Sequence, residues 1–148
     1  MNRKIIFFSL VFLLMVNIGF AQKKNEPKSI ISDKVSITKY HDKDELERMQ
    51  KGELLGLYIE RIEVLIKTLP YIAFATKPGV TMTSLGIPDN KDNRNMLDDE
   101  FDATQEYLKK STEFQQTMLP YSDTSKLIAA ILFYEETLKS LHLYSEFH

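Results

Sequence analysis

Carboxylates are the most abundant residues in this chain that could do chemistry, and they are densest in residues 89–106. Within that region, residues 89–100 partly match a calcium-binding EF-hand loop, with Asp89 first and Glu100 twelfth. Calcium requires several oxygen ligands and a glycine at the sixth position. Lys91 and Arg94 occupy the third and sixth positions, so the sequence disfavours calcium binding. The acids of the region are Asp89, Asp92, Asp98, Asp99, Glu100, Asp102 and Glu106.

Two pairs of glutamates have a spacing that general acid–base catalysis could use. Glu60 and Glu63 lie one helical turn apart, and Glu135 and Glu136 are adjacent. A catalytic carboxyl needs a pKa raised by burial or by a neighbouring charge. Both pairs lie in segments with helical periodicity, where glutamate ordinarily occupies the exposed face. We therefore predict that all four are solvent-exposed and take no part in catalysis.

The other residues that commonly carry catalysis are sparse. The chain has no cysteine, which excludes a thiol nucleophile, a disulfide and a thiolate-bound metal. Its histidines, His41, His142 and His148, lack the Glu-x-x-His spacing of a metal site inside a helical bundle. No two of its glycines are spaced as Gly-x-Gly, which excludes nucleotide-binding fingerprints. The sequence therefore predicts a non-enzymatic protein without a cofactor or a metal.

Residues 1–21 have the layout of a secretory signal peptide that is cleaved. A positively charged start precedes an apolar run over residues 5–16, and the small residue Ala21 precedes the expected cut. The alternative is an uncleaved anchor, but Asn17 ends the run short of the ~20 residues that cross a membrane. The Phe-Ala-Gln ending resembles signal peptides of Gram-negative Bacteroidetes. We expect export to the periplasm or the medium, with no membrane attachment after cleavage.

The remaining residues, 22–148, have the length of one domain and are mildly acidic. Without Arg3 and Lys4 this part has 127 residues, 17 basic and 21 acidic side chains, and a net charge of −4. Non-specific nucleic-acid binding depends on a basic surface, so this charge argues against a nucleic-acid partner.

Hydrophobic periodicity predicts an all-α fold, a small up-down bundle of three long helices with a short helix after Pro70. The first long helix begins at Asp42, which has the capping-box partner Glu45, and runs to residue 68. Its apolar stripe faces the core, and polar residues, Arg61 among them, take the other side. Gly52 and Gly56, one turn apart, predict the close approach of another helix.

The other two long helices follow from their capping signals. One begins within residues 92–95 and ends at Met118, and the last begins after Ser122 or Asp123. The last helix contains the apolar run 127–134, which covers its whole circumference. We predict that it packs between the other two, and that residues 72–75 or the N-terminal arm cover any remaining apolar face at Ile128, Leu132 or Phe133.

Shorter segments complete the predicted organisation. Residues 22–41 are predicted to form a tether or extended arm, and residues 42–148 a single helical domain. A minor two-stranded ribbon of residues 34–40 with residues 79–84 is possible, because both segments alternate apolar and polar residues. Leu-Pro-Tyr follows two of the long helices, at residues 69–71 and 119–121. Either a duplicated unit or the common use of proline after helices explains this repeat.

The connection over residues 77–95 and the acidic helix start after it form the predicted partner-facing site. Long connections on a rigid scaffold often carry recognition. The leading hypothesis is an exported, non-enzymatic protein that binds a macromolecule, most simply another protein. The predicted site residues are Thr81, Thr83, Asp89, Asn90, Asp92, Asp98 and Asp99.

Two other functions fit the same sequence. One is a narrower form of the leading hypothesis, a periplasmic immunity-type protein that inhibits a toxin through its acidic surface. The other is binding of a small molecule or a lipid between the helices. Aromatic side chains would line such a pocket: Phe74, Phe101, Phe114, Phe133 and Tyr134.

Overall fold

The fold is a small all-α bundle, seen in a computed structural model that describes residues 27–32 and 34–144. This confirms the predicted fold class, although the short helix predicted after Pro70 is a 3-10 helix that contains the proline, at Leu69–Tyr71. The predicted signal peptide lies outside the described residues. Within these ranges, none of the helices combines the length and the apolar character that crossing a bilayer requires. The α-helices are α1 (Lys43–Glu47), α2 (Lys51–Thr68), α3 (Lys91–Met118) and α4 (Thr124–Tyr144), with 3-10 helices at Leu69–Tyr71, Thr83–Leu85 and Leu119–Tyr121.

The first predicted helix is two helices, because the chain contains a second start signal. At α1, the carboxylate of Asp42 accepts a hydrogen bond from the backbone N–H of Glu45 at 2.8 Å, as predicted. At α2, the carboxylate of Glu53 accepts one from the backbone N–H of Gln50, also at 2.8 Å. In a continuous helix the backbone N–H of Gln50 would donate to a backbone carbonyl of the preceding turn, whereas here it donates to the Glu53 side chain. The chain therefore bends between α1 and α2.

Helix α2 lies at the centre of the bundle. It packs against both α4 and α3, and its contact with α4 is the more extensive. Tyr58 contacts Tyr134 and Arg61 contacts Glu135, so α2 and α4 run in the same direction. The prediction that the last helix is central is wrong, because α2 carries apolar side chains around more of its circumference than its single predicted stripe implied.

Helix α4 is consequently buried on one side only. Leu127 and Ile131 are at most 2% exposed, whereas Phe133 is 66% exposed. Of the three residues predicted to form its remaining apolar face, Ile128 is buried and Leu132 is half-buried, whereas Phe133 stays open to solvent. The apolar run 127–134 is therefore core on the side that faces α2 and surface at Phe133.

The buried apolar side chains form two clusters. One, which we call the helix cluster, joins α1, α2 and α4. The other, the arm cluster, joins the N-terminal arm to the chain after α2 and to α3. The helix cluster comprises Leu46, Leu54, Ile128 and Ile131, and the arm cluster comprises Ile30, Ile31, Val35, Tyr71, Ala75, Met82 and Leu97.

The N-terminal arm is part of the domain core from Ser29 onward. Ile30 and Ile31 are 5% and 0% exposed, which a tether outside the domain would not be. The arm pairs with the connection between α2 and α3 through one antiparallel bridge, Ser29 with Thr81, and the backbone N–H of Ile30 donates to the carbonyl of Val80 at 2.8 Å. The possible ribbon of residues 34–40 does not form, because residues 29–30 take its place.

The two Leu-Pro-Tyr segments have the same local structure. Each forms a 3-10 helix directly after a long α-helix, at Leu69–Tyr71 and Leu119–Tyr121. Their surroundings differ, since Tyr71 is 7% exposed and Tyr121 is 86% exposed. The proline explains the shared turn, because it cannot continue the helix. Duplication stays a prediction.

We expect Gly56→Ala to raise the free energy of unfolding by about 0.5–1 kcal/mol. A Cβ atom at Gly52 or Gly56 would meet no atom of the described residues within 4 Å, so the predicted close approach of another helix is wrong and alanine fits both positions. Urea unfolding monitored by circular dichroism measures the change. Gly86→Ala is the control and should be destabilising, because Gly86 has a φ of 72°. A destabilised Gly56→Ala protein would contradict the open surroundings of this residue.

Candidate functional site

The predicted site residues in the α2–α3 connection stabilise the connection itself. Thr81 and Ser84 exchange hydrogen bonds, with the backbone N–H of Ser84 donating to the Thr81 hydroxyl at 3.2 Å and that of Thr81 to the Ser84 hydroxyl at 3.0 Å. These bonds start the 3-10 helix Thr83–Leu85. Thr83 is exposed. Thr81 thus has a structural role, and a binding role for either threonine stays a prediction.

Two more predicted site residues, Asp89 and Asn90, order the start of α3. Asn90 caps the helix, its side-chain oxygen accepting from the backbone N–H of Asn93 at 2.9 Å. Arg94 donates two hydrogen bonds to the carboxylate of Asp89, from Nε to Oδ1 at 2.5 Å and from Nη2 to Oδ2 at 2.8 Å. This contact lowers the pKa of Asp89. Because α3 begins at Lys91, most of the EF-hand-like segment is helix, and its acids cannot wrap around one ion.

The remaining predicted residues, Asp92, Asp98 and Asp99, lie on the first turns of α3 and differ in their surroundings. Asp98 forms an ion pair with Lys28 of the arm. Asp92 and Asp99 are exposed, and they begin a row of exposed acids in which every seventh residue is acidic, continuing at Glu106 and Glu113. A seven-residue spacing returns to nearly the same side of a helix. We call this row the acidic edge of α3.

A row of exposed apolar side chains lies next to the acidic edge. Tyr107, Phe114 and Tyr121 also recur every seventh residue, and they are 58%, 65% and 86% exposed. Met96, at 70% exposure, extends the row toward the start of α3, and Met118, at 50%, lies between Phe114 and Tyr121. Tyr121 itself follows α3, in the 3-10 helix Leu119–Tyr121. We call these five residues the apolar row of α3. Aromatic residues and methionine in such a row are typical of protein interfaces.

A cavity of about 170 Å³ lies on another side of α3, where the helix meets α2 and the arm. Phe101 and Thr104 of α3 line it, together with Lys67 of α2 and Lys34 of the arm. Tyr71, which follows α2, also lines it and contacts Phe101 edge to face, with ring centroids 6.1 Å apart. The cavity therefore combines aromatic walls with two ammonium groups.

The hydroxyl of Tyr71 is buried and has no hydrogen-bond partner among the described residues. Burial, with a smaller contribution from Glu100, raises the pKa of Tyr71, so the phenol is neutral at physiological pH. A buried hydroxyl without a partner costs about 1–3 kcal/mol. The hydroxyl oxygen has less than 1 Å² of accessible surface, so it lies behind the wall of the cavity and not on its surface.

We expect Tyr71→Phe to raise the free energy of unfolding by about 1 kcal/mol, because it removes this uncompensated hydroxyl and keeps the ring. Urea unfolding measures the effect. Tyr134→Phe is a matched control that should be destabilising by about 1 kcal/mol, since the Tyr134 hydroxyl donates to that of Tyr58 at 3.3 Å. Equal losses in the two variants would mean that the Tyr71 hydroxyl has a partner in solution.

Of the aromatic residues predicted to line a pocket, Phe101 is the one that lines this cavity. Phe74, Phe114 and Phe133 are each more than half exposed. Tyr134 instead contacts Tyr58 near the helix cluster, and burial followed by their hydrogen bond raises the pKa of Tyr134 to about 12. Binding of a ligand by any of these five residues stays a prediction.

A buried charged network is the feature that the sequence prediction missed. The side chains of Arg61 and Glu135 are each 1% exposed, so the predictions that both face solvent are wrong. Glu135 Oε1 accepts from Arg61 Nε at 3.0 Å and from Nη2 at 2.8 Å. Its Oε2 accepts from the backbone N–H of His41 at 2.6 Å. We call Arg61, Glu135 and His41 the Arg61 network.

Further contacts complete the Arg61 network. Arg61 Nη2 also donates to the carbonyl of Lys39 at 2.6 Å, and Nη1 to the carboxylate of Glu60 at 2.7 Å. The His41 ring nitrogen Nδ1 lies 3.2 Å from Glu135 Oε1. Each charged group is thus compensated by several partners, and the network joins the arm to α2 and α4. This arrangement indicates a structural role.

The other acids that were considered for catalysis are paired at the surface. Glu136 forms an ion pair with Lys139 at 2.7 Å, and Glu63 pairs with Lys67 at 3.6 Å. His142 lies 3.2 Å from the hydroxyl of Tyr40. Within residues 27–32 and 34–144, no three histidine or acidic side chains are grouped so that they could hold a metal ion.

No family model matches the chain, and comparison with curated proteins and with solved structures found no match. The two candidate sites, the apolar row with its acidic edge and the cavity beside Tyr71, therefore rest on the physical chemistry of their residues.

Proposed function

We propose that this protein is exported and binds a protein partner through α3, with the apolar row docking a basic amphipathic helix. The observation that carries the proposal is the exposure of Tyr107, Phe114 and Tyr121 at a seven-residue spacing, each at least 58% exposed. Exposed aromatic side chains are costly to hydrate, and several along one helix mark a surface that another chain covers.

The spacing favours a helix as the partner's contacting element. Two helices pack with interdigitating side chains when apolar residues recur at two positions in every seven on both. Tyr107 and Phe114 provide one of these positions on α3, Met118 provides the other four residues after Phe114, and Tyr121 follows in the 3-10 helix after α3. Methionine side chains adapt to a partner's irregular surface. A helix bound in this way contacts the row along most of the length of α3.

The acidic edge determines the charge of the partner. Glu106 and Glu113 directly precede Tyr107 and Phe114, and Asp99 lies three residues after Met96, so a docked helix would be bordered by carboxylates. Basic residues beside the partner's apolar seam would complement them and accelerate association. Glu106 already forms an exposed ion pair with Lys110 at 2.7 Å, which is weak enough to exchange.

The same edge opposes self-association. In an antiparallel pair of identical helices, each edge faces the same edge of the other copy. Two acidic edges would then repel each other, because like charges across an interface are unfavourable. The favoured occupant of the apolar row is therefore a different, basic protein.

Export is the second part of the proposal and rests on the signal-peptide layout of residues 1–21. The partner would then lie in the periplasm or outside the cell. An immunity-type protein that blocks a basic toxin is the narrower form of the proposal, because an acidic surface is what such an inhibitor presents.

A photo-crosslinking experiment in the source cells tests the proposal. Benzoylphenylalanine is placed at Phe114 and, as the matched control, at Phe133, which is equally exposed on α4. We expect an adduct from Phe114 alone, in the exported fraction, and a crosslinked peptide rich in lysine and arginine around an apolar seam. An adduct with a second copy of this chain, an acidic crosslinked peptide, or equal adducts at both positions would overturn the proposal.

Charge reversal tests the acidic edge separately. Asp99→Lys with Glu106→Lys should weaken binding to the crosslinked partner at least tenfold and reduce its dependence on salt, since screening then has less attraction to remove. Asp123→Lys with Glu136→Lys is the control with the same change of charge on exposed residues outside α3. Equal losses in the two double variants would show that net charge, and not the acidic edge, determines binding.

A further inference from the structure

A second site follows from the cavity, and it concerns a small ligand instead of a protein. We propose that the cavity between the arm, α2 and α3 binds a small organic carboxylate with an apolar body about the size of a benzene ring. The anionic group would contact Lys34 and Lys67, and the apolar body would pack on Phe101, Val35 and the ring of Tyr71.

The volume of the cavity limits the ligand. At about 170 Å³, it is close to the roughly 150 Å³ of a cavity that binds benzene, and too small for the chain of a membrane lipid. Phe101 and Val35 provide apolar wall, and Val35 is 7% exposed. A ring or a short branched chain therefore fits better than an extended polar molecule.

Two lysines give the ligand its charge. Lys34 and Lys67 are the charged side chains among the described residues that line the cavity. Lys67 also pairs with Glu63 at 3.6 Å, a long contact that leaves hydrogen-bonding capacity for another carboxylate. Lys28 lies 5.2 Å from the centroid of the Phe101 ring and pairs with Asp98, so its charge is already balanced. The cavity therefore favours an anion over a cation.

Tyr71 gives the ligand a second aromatic surface. Its side chain lines the cavity and contacts Phe101 edge to face, with ring centroids 6.1 Å apart. Its hydroxyl oxygen has less than 1 Å² of accessible surface, so it lies behind the wall of the cavity and is not a contact for the ligand. The two lysines therefore provide the specificity for a carboxylate over an alcohol, because charge-assisted hydrogen bonds are about twice as strong as neutral ones.

Titration with benzoate tests the site in protein purified from its source. We expect a dissociation constant on the order of 1 mM, in line with the small number of ligand atoms. Amide chemical shifts should change around Tyr71 and Phe101. Benzyl alcohol, which has the same ring and no charge, should bind about tenfold more weakly. Equal binding of the two probes would overturn the anionic specificity.

Variants place the benzoate in the cavity. Lys34→Gln and Lys67→Gln should each weaken benzoate binding about tenfold, as loss of one charge-assisted contact predicts. Thr104→Leu should abolish it by filling the space, while Thr112→Leu, on α3 but outside the cavity, should leave it unchanged. Chemical-shift spectra confirm that each variant is folded.

Three results would overturn the proposal: no binding by the wild-type protein at about ten times the expected dissociation constant, binding unchanged by Thr104→Leu, or shifts located away from Tyr71 and Phe101. None of them bears on the apolar row of α3, so the two proposals fail or succeed separately.

Discussion

Replacement of Arg61 by methionine should lower the free energy of unfolding by about 3–5 kcal/mol, the largest effect that we expect from any single substitution in this chain. The side chain is 1% exposed and makes two hydrogen bonds to Glu135. Methionine fills similar space, so packing changes little. The loss arises because the carboxylate of Glu135 stays buried without its main positive partner, and burying an unpaired charge is strongly unfavourable.

Replacing both members of the pair should restore much of this loss. In Arg61→Met with Glu135→Leu, no unpaired charge remains, and buried ion pairs exchanged for apolar residues are often neutral in stability. Part of the loss should remain, because the backbone N–H of His41 and the carbonyl of Lys39 then lack their partners. A double-mutant cycle measured by urea unfolding gives the coupling energy of Arg61 and Glu135.

Lys110→Met is the matched control for the pair. Lys110 and Glu106 form an ion pair at 2.7 Å, but their side chains are 73% and 69% exposed. Water screens such a pair, so the change should stay within about 0.5 kcal/mol. If Arg61→Met were as mild as Lys110→Met, the Arg61 network would be open to water in solution, and its structural role would be wrong.

The sequence predicted the helix boundaries well where local signals determine them. The end of α3 at Met118 follows from Pro120, since proline commonly follows a helix. The start of α4 at Thr124 follows from Ser122 and Asp123, which are residue types that favour the capping position before a helix. The break between α1 and α2 was also encoded locally, by Gln50 and Glu53. It was missed because glutamine is a weak signal beside the stronger capping pair at the start of α1.

The candidate sites were less predictable because they depend on contacts between distant parts of the chain. Arg61 lies seven residues after Leu54 and four before Leu65, on the buried side of α2, but a lone arginine in such a stripe does not identify its partner 74 residues away. A signal was nevertheless present, since Leu54, Arg61, Leu65 and Thr68 share one side of the helix. That side is buried in full.

The apolar row of α3 had a readable signal as well. The acids Asp92 and Asp99 were predicted to face a partner, and the seven-residue spacing that continues them to Glu106 and Glu113 is visible in the sequence. What the sequence does not determine is which side of α3 the rest of the bundle covers. Because α2 covers the side of Leu97 and Leu108, the aromatic residues beside the acidic edge stay exposed.

The second large effect should come from Ile31→Ala in the arm, with a loss of about 2–5 kcal/mol in the free energy of unfolding. Ile31 is 0% exposed and packs in the arm cluster with Tyr71, Met82 and Leu97. Alanine would leave a cavity between the arm and three later parts of the chain. The cost would show that a segment predicted as a tether or extended arm holds the connection between α2 and α3 in place.

Phe133→Ala is the control for Ile31→Ala, since it removes a larger side chain that is 66% exposed and should change stability by no more than about 0.5 kcal/mol. Urea unfolding, with amide hydrogen exchange at residues 80–87, separates two outcomes for Ile31→Ala. Global destabilisation with faster exchange there is expected, because the arm and this connection share one cluster. A loss as small as that of Phe133→Ala would mean that the arm detaches in solution, and the cavity beside Tyr71 would then lose the wall that Val35 provides.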